Sequence, residues 1–212
     1  TNNVDKVAGL AYLVGSVSIP AYYEKQSEED AWTALVNVMW KYLREQLLFA
    51  YPGPGDGSRI WRPSWKQVLT ETVPSQAMGP HNIVTGWEGD PDIDLCRGYC
   101  IESALVRGLA KEDSQKQPRR GKLIVRDKDG TDHAFDIVAA HQYLIPDGSY
   151  AVVGNNGEWS TENKMKYWLA GQRRPGYDRR FEKVSIFMMS DNEDIQILEN
   201  LGVVKWSTVL LA

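Results

Sequence analysis

Lys122-Leu-Ile-Val-Arg126, Asp127-Lys-Asp-Gly130 and Thr131-Asp-His-Ala-Phe-Asp-Ile-Val138 read in turn as strand, turn and strand. Two apolar runs rich in branched and aromatic residues, joined by a turn ending in Asp-Gly, are a strong short-range hairpin signal. Alternation puts Leu123 and Val125 on one face, and Phe135 and Ile137 on one face of the returning strand, so the ribbon has an inside. A lone hairpin is marginal in water and must recruit further strands and a cover. Candidates follow on both sides. Tyr99 to Ala110 reads as a strand with Ile101, Leu105 and Val106 inward. Ser149-Tyr-Ala-Val-Val153 follows the turn Pro146-Asp-Gly148, and Tyr167-Trp-Leu-Ala170 and the run from Phe181 to Met189 come later.

Helical signals lie mostly ahead of this β-rich part. Val7, Leu10 and Val14 have the spacing of a short buried helix ending near Gly15. Ser27-Glu-Glu-Asp30 opens a second helix with a capping-box-like start and acids in its first turn. That helix is expected to run to about Phe49, with Trp32, Leu35, Met39, Tyr42 and Leu43 on one buried stripe. Ser190-Asp-Asn-Glu193 predicts a late helix through Ile195, Leu198 and Leu201, stopped by Gly202, and Val203 to Leu211 closes the chain as a strand or apolar tail. The pattern implies an α+β protein: N-terminal helices on a mainly antiparallel, curled sheet (half-barrel or sandwich) with one late helix. Its expected parts are a helical 1–70, a long polar loop over 71–98, and a β part over 99–212.

A chain of 212 residues buries a core without disulfides. Its net charge of −4 gives no electrostatic footprint for DNA, RNA or anionic lipid. No apolar run approaches the roughly 20 residues of a membrane span, and a cytoplasmic location is expected. Cys96 and Cys100 are the two cysteines. On a strand their Cα atoms lie roughly 13 Å apart, too far for a bond, whereas on a helix or around a turn at Gly98 they could approach; the favoured reading is two reduced, half-buried thiols. Two cysteines and three scattered histidines make no tetrahedral zinc site, and neither a metal nor a cofactor is expected.

Several stretches invite a chemical reading. Tyr51-Pro-Gly-Pro-Gly-Asp-Gly57 is glycine-rich, yet it lacks the lysine and following Ser/Thr of a phosphate-binding loop, and no apolar strand precedes it. Arg59-Ile-Trp-Arg-Pro-Ser-Trp65 sets two indoles around a proline, a pattern suited to filling a junction between elements. Asp90-Pro-Asp-Ile-Asp94 mimics the start of a calcium loop, but Leu95 stands where the turn needs Gly and Ile101 where it needs Glu. Arg173, Arg174, Arg179 and Arg180 form a basic loop able to grip an anion or to be balanced by nearby acids. Catalytic signatures built on Ser, His-Glu or Gly-rich turns are missing. A ribonuclease-like acid/base set is conceivable from His141, Glu102 and Arg173. Trp87, Asp90, Asp92 and Trp159 are the loop residues suited to binding a sugar.

Asp5-Lys-Val-Ala-Gly-Leu-Ala-Tyr12, Ile19-Pro-Ala-Tyr-Tyr23, Ser27-Glu-Glu-Asp-Ala-Trp32 and Trp61-Arg-Pro-Ser-Trp65 carry a family likeness. So do Val106-Arg-Gly-Leu109, Tyr167-Trp-Leu-Ala-Gly171 and Phe181-Glu-Lys-Val-Ser185. Together they resemble the segment that follows the HET domain in basidiomycete heterokaryon-incompatibility-like proteins. The HET domain, which carries the cell-death signalling in that family, has no counterpart in this chain, so no catalytic residue transfers. The resemblance implies a fungal self/non-self recognition or defence region that acts as a non-enzymatic scaffold for a protein partner. A carbohydrate-binding, lectin-like defence protein with a glycan partner and a toxin-like ribonuclease are the alternatives.

Overall fold

The computed structural model describes residues 3–13, 16, 18, 20, 21, 23, 25–71, 83–87, 90–111, 117–155, 167–176, 179–189 and 192–212. Among the described residues four helices come first: α1 (Asn3–Leu13), α2 (Glu28–Val38), α3 (Lys41–Phe49) and α4 (Trp65–Thr70). The strands are β1 (Ile83–Trp87), β2 (Asp90–Arg107), β3 (Arg119–Arg126), β4 (Asp132–Ala139), β5 (Gly148–Gly154), β6 (Tyr167–Arg173), β7 (Phe181–Met189) and β8 (Lys205–Leu211). α5 (Asn192–Asn200) lies between β7 and β8. The class is α+β, as the sequence pattern implies.

The strands form one sheet in the order β1-β2-β3-β4-β7-β6-β5, and β5 pairs back onto β2, so the sheet curls into a ring. All of these ladders are antiparallel; β8 runs antiparallel to β2 and meets β7 in parallel only at Phe181 and Leu211. β2 makes the closure possible through its length. Its first half is flanked by β1 and β8, its second half by β5 and β3, with a register shift between Ile101 and Ala104. Such a shift bends a strand and re-aims its side chains.

The β3–β4 hairpin forms with the expected inward faces. Leu123 pairs with Phe135 and Val125 with His133. Leu123, Val125, Phe135 and Ile137 are all buried. Asp127 Oδ1 accepts from the backbone N–H groups of Asp129 (2.8 Å) and Thr131 (2.9 Å). Gly130 sits at φ +85, where a side chain would be strained.

Alternation along β5 and β6, with a register shift of β7 against β6 between Ala170 and Gly171, divides the interior in two. Tyr150, Val152, Trp168, Ala170, Phe187 and Met189 join the core inside the ring, which Ile195 and Leu198 of α5 also enter. Ala151, Val153, Leu169, Phe181 and Ile186 point the other way, into a second core shared with α1 to α4 and with Cys96, Cys100, Val209 and Leu211. Both cysteines are free and buried, and burial pushes the Cys100 thiol up to about 11.

Two expectations are corrected. The helix drawn from Ser27 to Phe49 is two helices, broken where Met39 and Trp40 take extended backbone (ψ 149 and 138). At 3.6 residues per turn, Leu48 would lie about 160° round from Trp32 on a continuous helix. The break lets Trp32 and Leu35 as well as Leu48 and Phe49 reach one core, and it leaves Tyr42 exposed rather than on the buried stripe. The region drawn as a loop over 71–98 contains β1 and the first half of β2. Its Asp, Gly and Pro content argues against strand, but β1 pairs with β2, β2 pairs with β8 from Asp94 onward, and this pairing overrides the local preference. Val14, Gly15, Ser190 and residues 72–82 lie outside the described residues, so the predicted end of α1 and the capping box of α5 are not among the features seen.

Candidate functional site

Polar side chains concentrate along the seam where the helical layer meets the ring. Residues 51–57 cross this seam, and their glycines serve close approach. A Cβ at Gly53 would come within 2.3 Å of the Tyr143 ring, and one at Gly55 within 2.0 Å of the Arg62 carbonyl oxygen. This accounts for the Gly-rich stretch without a phosphate ligand.

From β7, the buried Lys183 donates through Nζ to Leu48 O (2.7 Å) and Tyr51 O (2.5 Å). A cation there meets the C-terminal end of α3, where carbonyls lack helical partners. Burial pushes its ammonium down to about 7. Two residues on, Ser185 Oγ donates to Pro52 O (2.9 Å).

The segment after β4 fills the other side of the seam. His141 Nε2 donates to Ile186 O (2.7 Å) and lies 3.5 Å from Ser185 Oγ, while its Nδ1 is buried without a partner. Burial holds its pKa below the ordinary histidine value, and the nearby Arg119 and Lys183 act in the same direction against the Ile186 carbonyl. Arg119 fixes this segment by donating to Leu109 O (2.6 Å), His141 O (2.7 Å) and Tyr143 O (2.5 Å). The Tyr143 hydroxyl donates to Glu71 at the end of α4. Burial first, and that carboxylate second, push the phenol up to about 12.

Two arginine networks complete the joint. Arg44 of α3 pairs with Asp94 of β2, whose other oxygen accepts from Trp61 Nε1 (2.9 Å). Arg62 donates to Glu29 (3.2 Å) and Thr33 (2.7 Å), and Glu29 also accepts from the Trp65 backbone N–H (2.7 Å). Trp32 donates to Pro63 O (2.9 Å) and its ring meets that of Trp65 at 5.7 Å. Trp61 and Trp65 are buried, so both indoles act as junction filler. Backbone carbonyls and paired side chains take up most of the donors along this seam.

An open groove of about 330 Å³ lies on the helical layer, lined by Leu10, Trp32, Met39, Leu43, Leu47 and Val68 among others. Leu13 and Leu69, the neighbours of its lining along α1 and α4, are 81% and 53% exposed.

The residues singled out from sequence are scattered. Glu102 and Arg173 do come together, in an ion pair of 2.7 Å between β2 and β6. His141 makes its contacts elsewhere, with β7, and no hydrogen bond or ion pair joins it to either. Trp87 ends β1, and Asp90 and Asp92 open β2 rather than standing in a loop; their side chains, and all of Trp159, lie outside the described residues. Arg174 pairs with Glu182 (2.6 Å), so part of the basic loop is balanced by acid. Asp94, read within a calcium-like run, is spent on Arg44 and Trp61. Among the described residues no group of three or more His, Cys, Asp or Glu is placed to hold a metal, and no helix is long and apolar enough to cross a membrane.

Sequence reasoning missed Lys183, Ser185, Arg44, Arg119 and Tyr143. One signal was present. Lys183 and Ser185 fall at period two from Phe181, on the face that strand alternation assigns to the core. In comparisons with family models, curated proteins and solved structures, nothing matches the chain.

Proposed function

We propose that this chain is a non-enzymatic interaction scaffold of a fungal self/non-self recognition or defence protein, and that it binds a protein partner through its helical layer. The observation that carries the reading is the apolar groove between α1, α2, α3 and α4, beside exposed Leu13 and Leu69. Exposed apolar patches with polar surroundings mark interaction sites. Lys183, Arg44, Arg62 and Arg119 at the seam support the same reading, because backbone carbonyls and ion pairs already engage them. The partner suggested by the family likeness is a HET domain of the kind that precedes this segment in the resembling proteins.

Isothermal titration of such a HET domain, expressed separately, into this protein tests the proposal. Leu43→Glu and Leu47→Glu are each expected to weaken binding at least about tenfold, the equivalent of about 1.4 kcal/mol. Absence of binding to the unaltered protein, or equal affinity in both variants, refutes it.

A carbohydrate-binding reading has one observation in its favour. Trp206 of β8, half-exposed, meets Tyr99 of β2 edge-on at 5.0 Å, an aromatic pair on an open sheet face. A glycan array decides it: a sugar signal lost in Trp206→Ala supports that reading, and a blank array removes it. The ribonuclease arrangement draws no support from the geometry, since His141 stands apart from Glu102 and Arg173.

A further inference from the structure

We infer that the seam between the helical layer and the ring is an acid-released latch built on His141. The hydrogen bonds assign the imidazole's proton. Ile186 O accepts only, so the 2.7 Å contact requires a proton on Nε2. In the neutral ring the proton-free nitrogen is then Nδ1, which is buried without a partner. A second proton has one place to go. It would create an N–H at Nδ1 with no acceptor, inside a buried site, on a ring that now carries charge.

The surroundings oppose that charge from each element packed against the ring. β7 contributes the Lys183 ammonium, the Ser185 hydroxyl (3.5 Å) and the Ile186 carbonyl. β3 contributes the Arg119 guanidinium, which holds the His141 and Tyr143 carbonyls. The segment of His141 itself contributes the Tyr143 ring, 6.2 Å away and tilted by 50°. Glu71 is the carboxylate tied to this neighbourhood, and the Tyr143 hydroxyl engages it. Among the groups that shift His141, the Ile186 carbonyl is the one that favours the imidazolium.

His141 is also placed where its displacement would be felt. Ser185 beside it holds Pro52, Lys183 holds Leu48 and Tyr51, and Tyr143 covers Gly53. Movement of the 141–145 segment therefore loosens residues 48–57 from the ring, whereas the β3–β4 ladder keeps its own pairing.

The sign follows from linkage. The folded pKa lies below the unfolded value of 6.5, so the stabilisation is complete above pH 6.5 and is lost as pH falls toward the folded value. Within that window the opened fraction rises about tenfold per pH unit. Lys183, pushed down to about 7, gives a slope of the same sign at higher pH, so the loss of the slope in His141→Gln is what assigns it to His141.

Hydrogen exchange of the whole chain between pH 7.5 and 5, corrected for intrinsic rates, tests the latch. The expected result is a loss of protection over 48–57 and 141–145 that steepens below pH 6.5, with 121–126 and 133–138 unchanged, and its abolition in His141→Gln. A wild type with no slope, an equal slope in the variant, or hairpin and seam opening together overturns the inference. Should the variant fail to fold, an NMR titration of the His141 ring in the wild type decides: a value below 6.5 is expected, and one at or above 6.5 overturns it.

Discussion

Asp94 is the residue whose removal tests the architecture most directly, because α3, β2 and the 59–65 segment meet on it. Its two oxygens engage the Arg44 guanidinium and the Trp61 indole N–H, and all three residues are buried. The guanidinium also lies 5.8 Å from the Trp61 ring centre. Asp94→Asn keeps the volume and keeps an acceptor for Trp61, but it leaves a buried cation without its counter-charge. Stranding one partner of a buried ion pair costs about 3–5 kcal/mol. Asp94→Ala also orphans the indole N–H, adding about 1–3 kcal/mol. Against a total folding stability of about 5–15 kcal/mol, either change is a large fraction. The pair Arg44→Met with Asp94→Leu removes both charges together and is expected to recover about 2 kcal/mol or more relative to Asp94→Asn, as charge-free replacements of buried pairs do. Urea unfolding followed by circular dichroism measures all four proteins. A cost below about 1 kcal/mol for Asp94→Asn, or a double variant no more stable than the single one, refutes the view that this joint is an ion pair sealed from water.

Two further changes probe the seam. Lys183 has a folded pKa pushed below its unfolded value, so stability should rise with pH between 7 and 10.5, where the unfolded chain binds more protons; Lys183→Met should flatten that rise in urea midpoints measured across this range, and an unchanged slope contradicts the assignment. Gly53→Ala places a Cβ within 2.3 Å of the Tyr143 ring and should cost about 1–3 kcal/mol by overpacking, read from the thermal midpoint; a neutral outcome would mean that Tyr143 moves aside freely.

How much of this was legible depended on sequence distance. The β3–β4 hairpin was legible because its turn, register and inward face all lie within 20 residues, and Asp127 and Gly130 declare the turn locally. The junction role of Trp61 and Trp65 was legible from bulk and a flanking proline. The helix break at Met39-Trp40 was not, since neither residue is a breaker; the need to turn Leu48 and Phe49 into the same core as Trp32 imposes it. β1 and the start of β2 were hidden for a related reason. β2 from Asp94 onward pairs with β8, which arrives more than 100 residues later, and Asp90 to Asp94 taken alone reads as a solvated loop. The seam was the least legible part. Lys183 and Leu48 are 135 residues apart, and a lysine in a strand announces nothing about a helix end it will reach.

The two cores decide what kind of unit this is. The core under the helices takes Cys96, Val153, Leu169, Phe181, Val209 and Leu211 from the sheet, so the helical layer has no interior of its own. The ring core, by contrast, is filled from the strands, α5 and the connecting residues Leu109 and Ile145. Removing residues 1–71 would bare one face of β5, β6 and β7, yet it would leave the other face packed. An asymmetry of that kind makes the helical layer the dependent part and the ring the support. It also locates regulation. A device that loosens the attachment, as protonation of His141 would, acts on the layer that carries the apolar groove and leaves the ring standing, whereas a perturbation inside the ring at Trp168 or Phe187 would unfold support and layer together.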